Sequence, residues 1–146
     1  MQAVNIRSSG QKGEAVSVAF NEETRKLLDG RNFATVATLN QDGGPQTSVV
    51  WIARDGDTVL FSTTAGRQKA RNLARDPRIS LTVYDTENPY HSVDIRGTAE
   101  LIEDREKSLP RELSQRYLGE DPPAEPVDVL RLIVRVTPQR ISGFSV

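Results

Sequence analysis

The stretch TVLFSTTAGRQKARNLARDP, residues 58–77, sets the pattern for the rest of the chain. Its apolar start, residues 58–61, predicts a β-strand, and the hydroxyls and glycine that follow predict a turn. A helix is expected to begin near Gly66 and to end before Pro77, because a proline disfavours helical geometry in the residue that precedes it. The stretch therefore predicts a strand, a turn and a short helix.

The charges of this helix are unusual for a helix start. Arg67, Lys69 and Arg71 stand at the amino end, whereas the only acid, Asp76, stands at the far end. Peptide dipoles already make the amino end positive, so acids are preferred there. Clustered cations beside free backbone N–H groups predict a site for a phosphate-like anion. The alternative is a solvated basic face that binds nothing, with Ser62 and Thr63 as ordinary strand and turn residues.

A second short helix, residues 21–30, follows the dipole rule. Asn21 is expected to cap it, Glu22 and Glu23 suit its positive end, and Gly30 is expected to end it in a left-handed conformation. Because this helix obeys the rule, the cations at the start of the helix near residues 66–76 are stronger evidence for an anion site.

Alternating and apolar runs predict most of the remaining elements as strands. Residues 33–39, 45–53 and 58–63 are separated by turns at 41–44 and 55–57 and predict a three-stranded meander. A strand at 79–84, a loop at 85–91 and a long strand at 92–103 follow, with Gly97 marking a bulge or bend.

The last third of the chain is predicted to hold a helix and two strands. The helix falls within residues 104–119, and Pro110 inside it predicts either two helical pieces or a start nearer Ser108. Asp104 is expected to lie at the solvated surface. The strands are residues 129–136 and 139–146. Six or seven strands with three helices predict a mainly β fold, a β-barrel with peripheral helices, in which closure removes exposed sheet edges. Residues 1–19 are predicted to be a flexible arm, and residues 20–146 a single barrel domain.

Size and composition exclude several classes. A chain of 146 residues suits one domain, and a formal net charge of −1 argues against broad nucleic-acid binding. No run has the length of a membrane span, and the first residues do not form a signal peptide. The absence of cysteine excludes thiolate metal sites and fits a cytoplasmic protein, and a single histidine cannot build a multi-histidine metal site.

With strands and basic helix placed, the sequence resembles the pyridoxamine 5'-phosphate oxidase-like superfamily of FMN-binding split β-barrels. Within it, the sequence is most similar to the actinobacterial branch that uses the deazaflavin coenzyme F420. The resemblance covers about residues 22–146 and rests on four stretches: 34–39 before Asp42-Gly43, 45–51, 61–78 and 93–99.

The resemblance implies a set of cofactor-binding residues. Ser62, Thr63, Arg67 and Lys69 match positions that hold the cofactor phosphate, and Asn72 matches a polar position on the same helix. The strand that runs beside the tricyclic ring, largely through backbone contacts, is matched by Gln46, Thr47, Ser48, Val49 and Val50. Arg71, Arg75 and Arg78 are unassigned candidates for the acidic tail of a deazaflavin.

Members of the superfamily are homodimers with the cofactor in the groove between the two barrels. The resemblance therefore implies that Trp51, Tyr90 and His91 are substrate-pocket candidates from either subunit. The vitamin-making oxidases carry a longer C-terminal segment with Arg and His for the substrate phosphate. Here the sequence ends at Gly143-Phe144-Ser145-Val146, so that particular activity is not expected.

The resulting hypothesis is an oxidoreductase that uses reduced F420 for hydride transfer to a small organic molecule. The alternatives are an FMN-dependent enzyme of the same fold, a non-catalytic carrier of flavin, deazaflavin or haem, and a structural dimer whose basic helix meets partner carboxylates. In such enzymes the cofactor supplies the chemistry, which agrees with the lack of a catalytic triad or metal-ligand motif. The sequence identifies no catalytic proton donor.

Overall fold

The computed structural model describes residues 17–144, so most of the predicted arm at residues 1–19 lies outside the described part. The chain forms three helices, α1 (Glu22–Asp29), α2 (Gln68–Arg75) and α3 (Ser108–Leu118). Its strands are β1 (Phe33–Leu39), β2 (Pro45–Trp51), β3 (Ala53–Asp55), β4 (Thr58–Thr64), β5 (Arg78–Asp85), β6 (Asn88–Glu103) and β7 (Arg131–Phe144).

All seven strands form one antiparallel sheet in the order β2-β1-β5-β6-β7-β4-β3. The two edge strands, β2 and β3, are separated in the chain only by Ile52, whose side chain is completely buried. The sheet must therefore curl until its edges approach each other. This curl produces the split barrel that the sequence predicts.

The barrel interior is filled by alternate residues of the strands. In β4, for example, Val59 and Phe61 are fully buried, whereas Thr58 and Leu60 between them are only partly buried. The largest fully buried side chains include Val36, Phe61, Leu81, Ile95, Leu101 and Val134. Burial of this apolar surface is the main term that holds the sheet in its curled form.

Two helices cover the ends of the barrel and the third packs on its outside. Leu27 and Leu28 of α1 and Leu73 of α2 belong to the main core. Leu109 and Leu113 of α3 form a smaller cluster with outward side chains of β4 and β7. Among the described residues, no helix has the length and apolar character needed to cross a membrane.

Several sequence predictions need correction. The predicted meander is wrong, because the kink at Ile52 sends β2 and β4 to different parts of the sheet rather than side by side. The loop predicted at residues 85–91 is only a tight turn at Thr86 and Glu87, since β6 already starts at Asn88. Predicted strands 129–136 and 139–146 are one continuous strand over the described residues, β7.

Two predicted helix ends also differ. Gly30 is extended, with φ −75°, instead of left-handed. The side chain of Asn32 donates to the Leu27 carbonyl at 2.9 Å and so satisfies the end of α1 in place of a left-handed turn. Asp104 is buried rather than solvated, because its carboxylate accepts hydrogen bonds from the N–H groups of Ser108 and Leu109.

Candidate functional site

The start of α2 has no capping side chain. Arg67 occupies the N-cap position with extended backbone geometry, is exposed and makes no capping hydrogen bond, and the first turn contains no acid. The first N–H groups of a helix have no acceptor within the helix. The sequence placed this helix correctly, although it begins at Gln68 rather than near Gly66.

Lys69 is a nearly buried cation without an ion-pair partner in the described part of the chain. Its side chain lies in the first turn of α2 and the residue is only 7% exposed. No described carboxylate forms an ion pair with it. Burial, and to a smaller degree the nearby charge of Arg67, lower the pKa of Lys69 below its usual value. An anion beside the ammonium group would offset both effects.

Thr63 presents a second unsatisfied group close in sequence to Lys69. It lies at the end of β4, just before the turn into α2, and its hydroxyl Oγ1 is buried without a hydrogen-bond partner among the described residues. A buried hydroxyl without a partner costs free energy. A phosphate oxygen at this position would supply the acceptor that this hydroxyl lacks.

Ser62 is placed differently from Thr63. Neighbouring residues in a strand point to opposite faces, and Ser62 lies on the outer face, where its Oγ accepts from Arg131 Nη1 at 3.3 Å. The same guanidinium is paired with Glu125 at 3.0 Å. The hydroxyls of Ser62 and Thr63, both predicted to bind the phosphate, therefore point to opposite faces of the sheet within one barrel.

Asn72 is fully buried and acts as a hub between α2 and the β1–β2 hairpin. Its Nδ2 donates to Thr38 Oγ1 at 3.0 Å and to Asn40 Oδ1 at 2.9 Å. Its Oδ1 accepts from Gln68 Nε2 at 2.8 Å. These bonds hold α2 against the end of β1, so the geometry gives Asn72 a positioning role for this helix.

The three unassigned arginines near α2 have partners in the protein. Arg71 donates to the Gly66 carbonyl and to Gln68 Oε1, and Arg75 donates to the Leu39 carbonyl. Arg78 is paired with Asp76 at 2.7 Å, and this hydrogen-bonded pair lowers the pKa of Asp76 to about 2.

The ring-binding candidates on β2 alternate between two faces. The side chains of Gln46, Ser48 and Val50 are half-buried on the inner face, whereas Thr47 and Val49 are exposed on the outer face. Among the described strands β2 pairs only with β1. One backbone edge of β2 thus has no strand partner there, and the backbone contacts to a ring that the resemblance implies remain a prediction for this edge.

The substrate-pocket candidates lie away from α2. Trp51 stacks on Tyr117 of α3, with ring centroids 5.2 Å apart. His91 Nε2 lies 3.1 Å from Glu23 Oε1, and its Nδ1 lies 3.8 Å from Asp85 Oδ2. Tyr90 is 66% exposed. Both Tyr90 and His91 belong to β6 and not to the loop predicted there.

The pairing of β5 with β6 gives the distance between these candidates and the α2 end of the sheet. Tyr84 pairs with Ser92 next to His91, whereas Arg78, which follows α2, pairs with Thr98. Six residues of strand span about 20 Å. Thr63, Arg67 and Lys69 thus lie between the end of β4 and the first turn of α2, whereas Tyr90 and His91 lie toward the other end of the sheet.

A family model described as pyridoxamine 5'-phosphate oxidase matches residues 20–145. The chain belongs to this family. The match spans nearly the whole chain, including β2, the start of α2 and the bulge at Gly97, so the family confirms the resemblance found in the sequence.

Solved structures agree with this membership. An F420 reductase has 34% sequence identity and a TM-score of 0.76, and the alignment covers 84% of this chain and 98% of that one. A conserved hypothetical protein of Mycobacterium tuberculosis has 26% identity and a TM-score of 0.71, with 92% and 89% covered.

Curated relatives of the family match in part. A pyridoxine/pyridoxamine 5'-phosphate oxidase of Kineococcus radiotolerans is 33% identical over 91 residues, which are 62% of this chain and 37% of that enzyme. A dihydrophenazinedicarboxylate synthase of Pseudomonas chlororaphis is 48% identical over 50 residues, 34% of this chain and 22% of the synthase. The chain thus spans less than two-fifths of the length of these relatives.

Sequence reasoning missed the residues that hold the site in place. Thr38 and Asn40 accept hydrogen bonds from the side chain of Asn72. Tyr117 holds the kink at Ile52: its hydroxyl accepts from Ile52 N at 3.1 Å and donates to the Asn32 carbonyl at 2.5 Å. The alternation of β1 contains a signal for Thr38, since this polar residue shares the buried face of Ala34 and Val36. No local pattern links Tyr117 to Ile52, which is 65 residues away.

Proposed function

We propose that this protein is an oxidoreductase that uses reduced coenzyme F420 to transfer a hydride to a small organic substrate. Membership of the pyridoxamine 5'-phosphate oxidase family and the 34% identity with an F420 reductase over 84% of the chain support the proposal. The observation that carries it is a pair of unsatisfied groups six residues apart in sequence: nearly buried Lys69, which has no ion pair among the described residues, and the buried hydroxyl of Thr63. Both groups match what a phosphate requires.

The residues have distinct roles in this proposal. Lys69 and Thr63 bind the cofactor phosphate from the buried side, and exposed Arg67 closes over it from the solvent side by charge-assisted hydrogen bonds. Asn72 holds α2 in position, and Ser62 remains a predicted contact. The ring is oriented by the unpaired backbone edge of β2, which comprises Gln46, Thr47, Ser48, Val49 and Val50.

When bound in its reduced form, F420 supplies the hydride, and the protein supplies position and a pocket that excludes water. The residues that form the substrate side are proposed to come from a second subunit. Within one barrel Tyr90 and His91 lie about 20 Å along the sheet from the α2 end, as estimated from strand rise. A homodimer with the cofactor between the barrels places the partner copies of Trp51, Tyr90 and His91 nearer the ring. We propose the cytoplasm as its location.

FMN is the second candidate cofactor. The similarity to a pyridoxine/pyridoxamine 5'-phosphate oxidase favours it, and the phosphate end of FMN makes the same demands on Lys69 and Thr63. The two cofactors differ beyond the phosphate and in their spectra, so binding distinguishes them.

The first experiment titrates F420 and FMN separately into the purified protein and follows cofactor fluorescence. We expect F420 to bind more tightly, and the Arg67→Ala/Lys69→Ala double variant to lose at least 100-fold in affinity, since each charge-assisted phosphate contact contributes about 1.5–3 kcal/mol. Arg105→Ala, which removes an exposed arginine at the start of the α3 connection, is the matched control and should bind as the parent does.

Each other result has a defined meaning. Equal affinity of parent and double variant removes the assignment of the phosphate site. Tighter binding of FMN overturns the choice of F420 and leaves the FMN-dependent alternative. Tight F420 binding without oxidation of the reduced cofactor across a panel of small acceptors favours a non-catalytic carrier.

A further inference from the structure

A groove of about 610 Å³ opens on the outer face of the sheet, where β1, β5, β6 and β7 lie side by side. We call it the arginine groove, after Arg78, Arg96 and Arg140 in its lining. Apolar atoms of Leu39, Pro45 and Ile79 form much of the rest. Its volume lies within the range of about 300–1,000 Å³ that small-molecule sites occupy.

Two of the three arginines face each other without a counter-charge. Arg96 of β6 pairs directly with Arg140 of β7, and both side chains are exposed. Residues directly opposite on antiparallel strands have Cβ atoms about 5 Å apart, and like charges in that arrangement destabilise the sheet. Over residues 17–144, neither guanidinium has an ion pair or hydrogen bond.

Among the described residues, no nearby acid forms an ion pair with Arg96 or Arg140. Asp76 is taken by Arg78, through contacts of 2.7 to 3.2 Å. Asp94 lies on the same face as Arg96, two residues earlier in β6, and its carboxylate accepts a hydrogen bond from the neutral Thr82 Oγ1 at 2.7 Å without an ion pair to either arginine. The groove lining contains no acidic residue. It therefore holds two guanidinium groups that no described carboxylate pairs with.

A β-bulge fixes the position of these side chains. Arg96 pairs with Arg140, whereas the next residue, Gly97, pairs with Pro138, so Gln139 is the extra residue of the bulge. Both Gln139 and Arg140 line the groove. A Cβ at Gly97 would lie 2.0 Å from the Thr137 carbonyl oxygen, so only glycine permits this close approach. Bulges are a common means of redirecting side chains beside functional sites.

We propose that the arginine groove binds an organic dicarboxylate with a flat apolar body. Guanidinium groups match carboxylates in two-point geometry, and two of them about 5 Å apart at the Cβ atoms suit two carboxylates on one small framework. The apolar lining then covers the body between them. This site goes beyond the proposed redox function, because binding in it requires no bound cofactor.

Isothermal titration calorimetry of the cofactor-free protein tests the proposal. The probe is isophthalate, with benzoate and inorganic phosphate for comparison. We expect isophthalate to bind at least tenfold more tightly than either, and its affinity to fall as salt is raised. Arg96→Gln and Arg140→Gln should each weaken binding at least tenfold, while Arg96→Lys, which keeps the charge but loses the planar fork, should weaken it less.

Arg105→Gln is the matched control, since it also removes one exposed, unpaired arginine, and it should leave isophthalate affinity unchanged. Thermal unfolding checks the fold, and loss of either opposed charge should raise the Tm by about 1–3 °C. Three results would each overturn the proposal. In the first the parent binds isophthalate no more tightly than benzoate and phosphate, and in the second the glutamine variants bind isophthalate as tightly as the parent does. In the third result the parent binds no dicarboxylate and the glutamine variants self-associate more weakly than the parent. The last would assign the groove to contacts between copies.

Discussion

At the scale of single residues, the environment of Lys69 connects stability with binding. A charged lysine whose residue is 7% exposed and which lacks a carboxylate partner among the described residues costs folding free energy. Such a cost persists in a protein when the group serves another purpose. A bound phosphate would remove it, so the cofactor is expected to stabilise the fold as well as to enable the reaction.

Lys69→Met tests this coupling. The variant keeps the apolar stem without the charge, so the cofactor-free protein should gain about 1–2 kcal/mol of unfolding free energy and lose at least tenfold in F420 affinity. Urea unfolding and fluorescence titration measure the two effects. Arg67→Met is the matched control, because an exposed arginine should change stability little.

The same substitution predicts a pH dependence. Burial lowers the pKa of Lys69 in the folded protein below 10.5. Between that lowered pKa and 10.5 the unfolded chain binds more protons at this site, so the parent gains stability relative to Lys69→Met as pH rises. A difference in unfolding free energy that stays constant from pH 7 to pH 10.5 would contradict the burial of a charged Lys69.

At the scale of elements, the two later helices are held by buried polar side chains, one within α2 and one that precedes α3. Asn72 attaches α2 to the β1–β2 hairpin. The start of α3 depends on Asp104, because Lys107 at the N-cap position has a left-handed backbone, with φ 54°, and no capping side-chain bond. Asp104 Oδ1 and Oδ2 accept from the N–H groups of Ser108 and Leu109 at 3.0 and 2.9 Å instead.

Asp104→Ala should therefore destabilise the protein by about 1–3 kcal/mol, since one buried and one partly buried N–H group lose their acceptor. Chemical denaturation measures the change. Glu106→Ala removes an exposed acid from the same connection and should stay within about 0.5 kcal/mol of the parent. Similar effects of the two substitutions would show that Asp104 does not cap α3.

At the scale of the whole molecule, curling of the sheet depends on close contact between β6 and β7, the two longest strands. Gly97 sits where their register shifts, against the backbone of Thr137. The kink at Ile52 then lets the edge strands β2 and β3 approach each other. Together these features shape both the proposed cofactor edge and the arginine groove.

Gly97→Ala should be strongly destabilising, by about 3 kcal/mol or more, because its Cβ would overlap a carbonyl oxygen that belongs to the backbone and cannot turn aside. Thermal and urea unfolding measure it. Gly143→Ala, on the partner strand, is the control: its Cβ would lie 3.7 Å from the nearest carbonyl oxygen, and little loss is expected. Equal stability of both variants would contradict the tight bulge.

Sequence alone determined the features that depend on neighbouring residues. The strand, turn and helix at residues 58–77, the Asn21 cap and the bulge at Gly97 follow from turn chemistry, dipoles and periodicity, which act over a few residues. The family resemblance, and with it the split barrel, was also present in the sequence. The phosphate, ring and substrate-pocket assignments remain predictions.

Only the tertiary structure decided which of these residues act together. In the structure Ser62 and Thr63 point to opposite faces of β4, and Lys69 is buried whereas Arg67 is exposed. The side chain of Asn72 donates a hydrogen bond to Thr38. β2 and β3 lie at opposite edges of one sheet. The tertiary structure also placed Arg96 of β6 opposite Arg140 of β7, two residues that lie more than 40 positions apart in sequence. These outcomes depend on long-range pairing and burial, which local patterns do not encode.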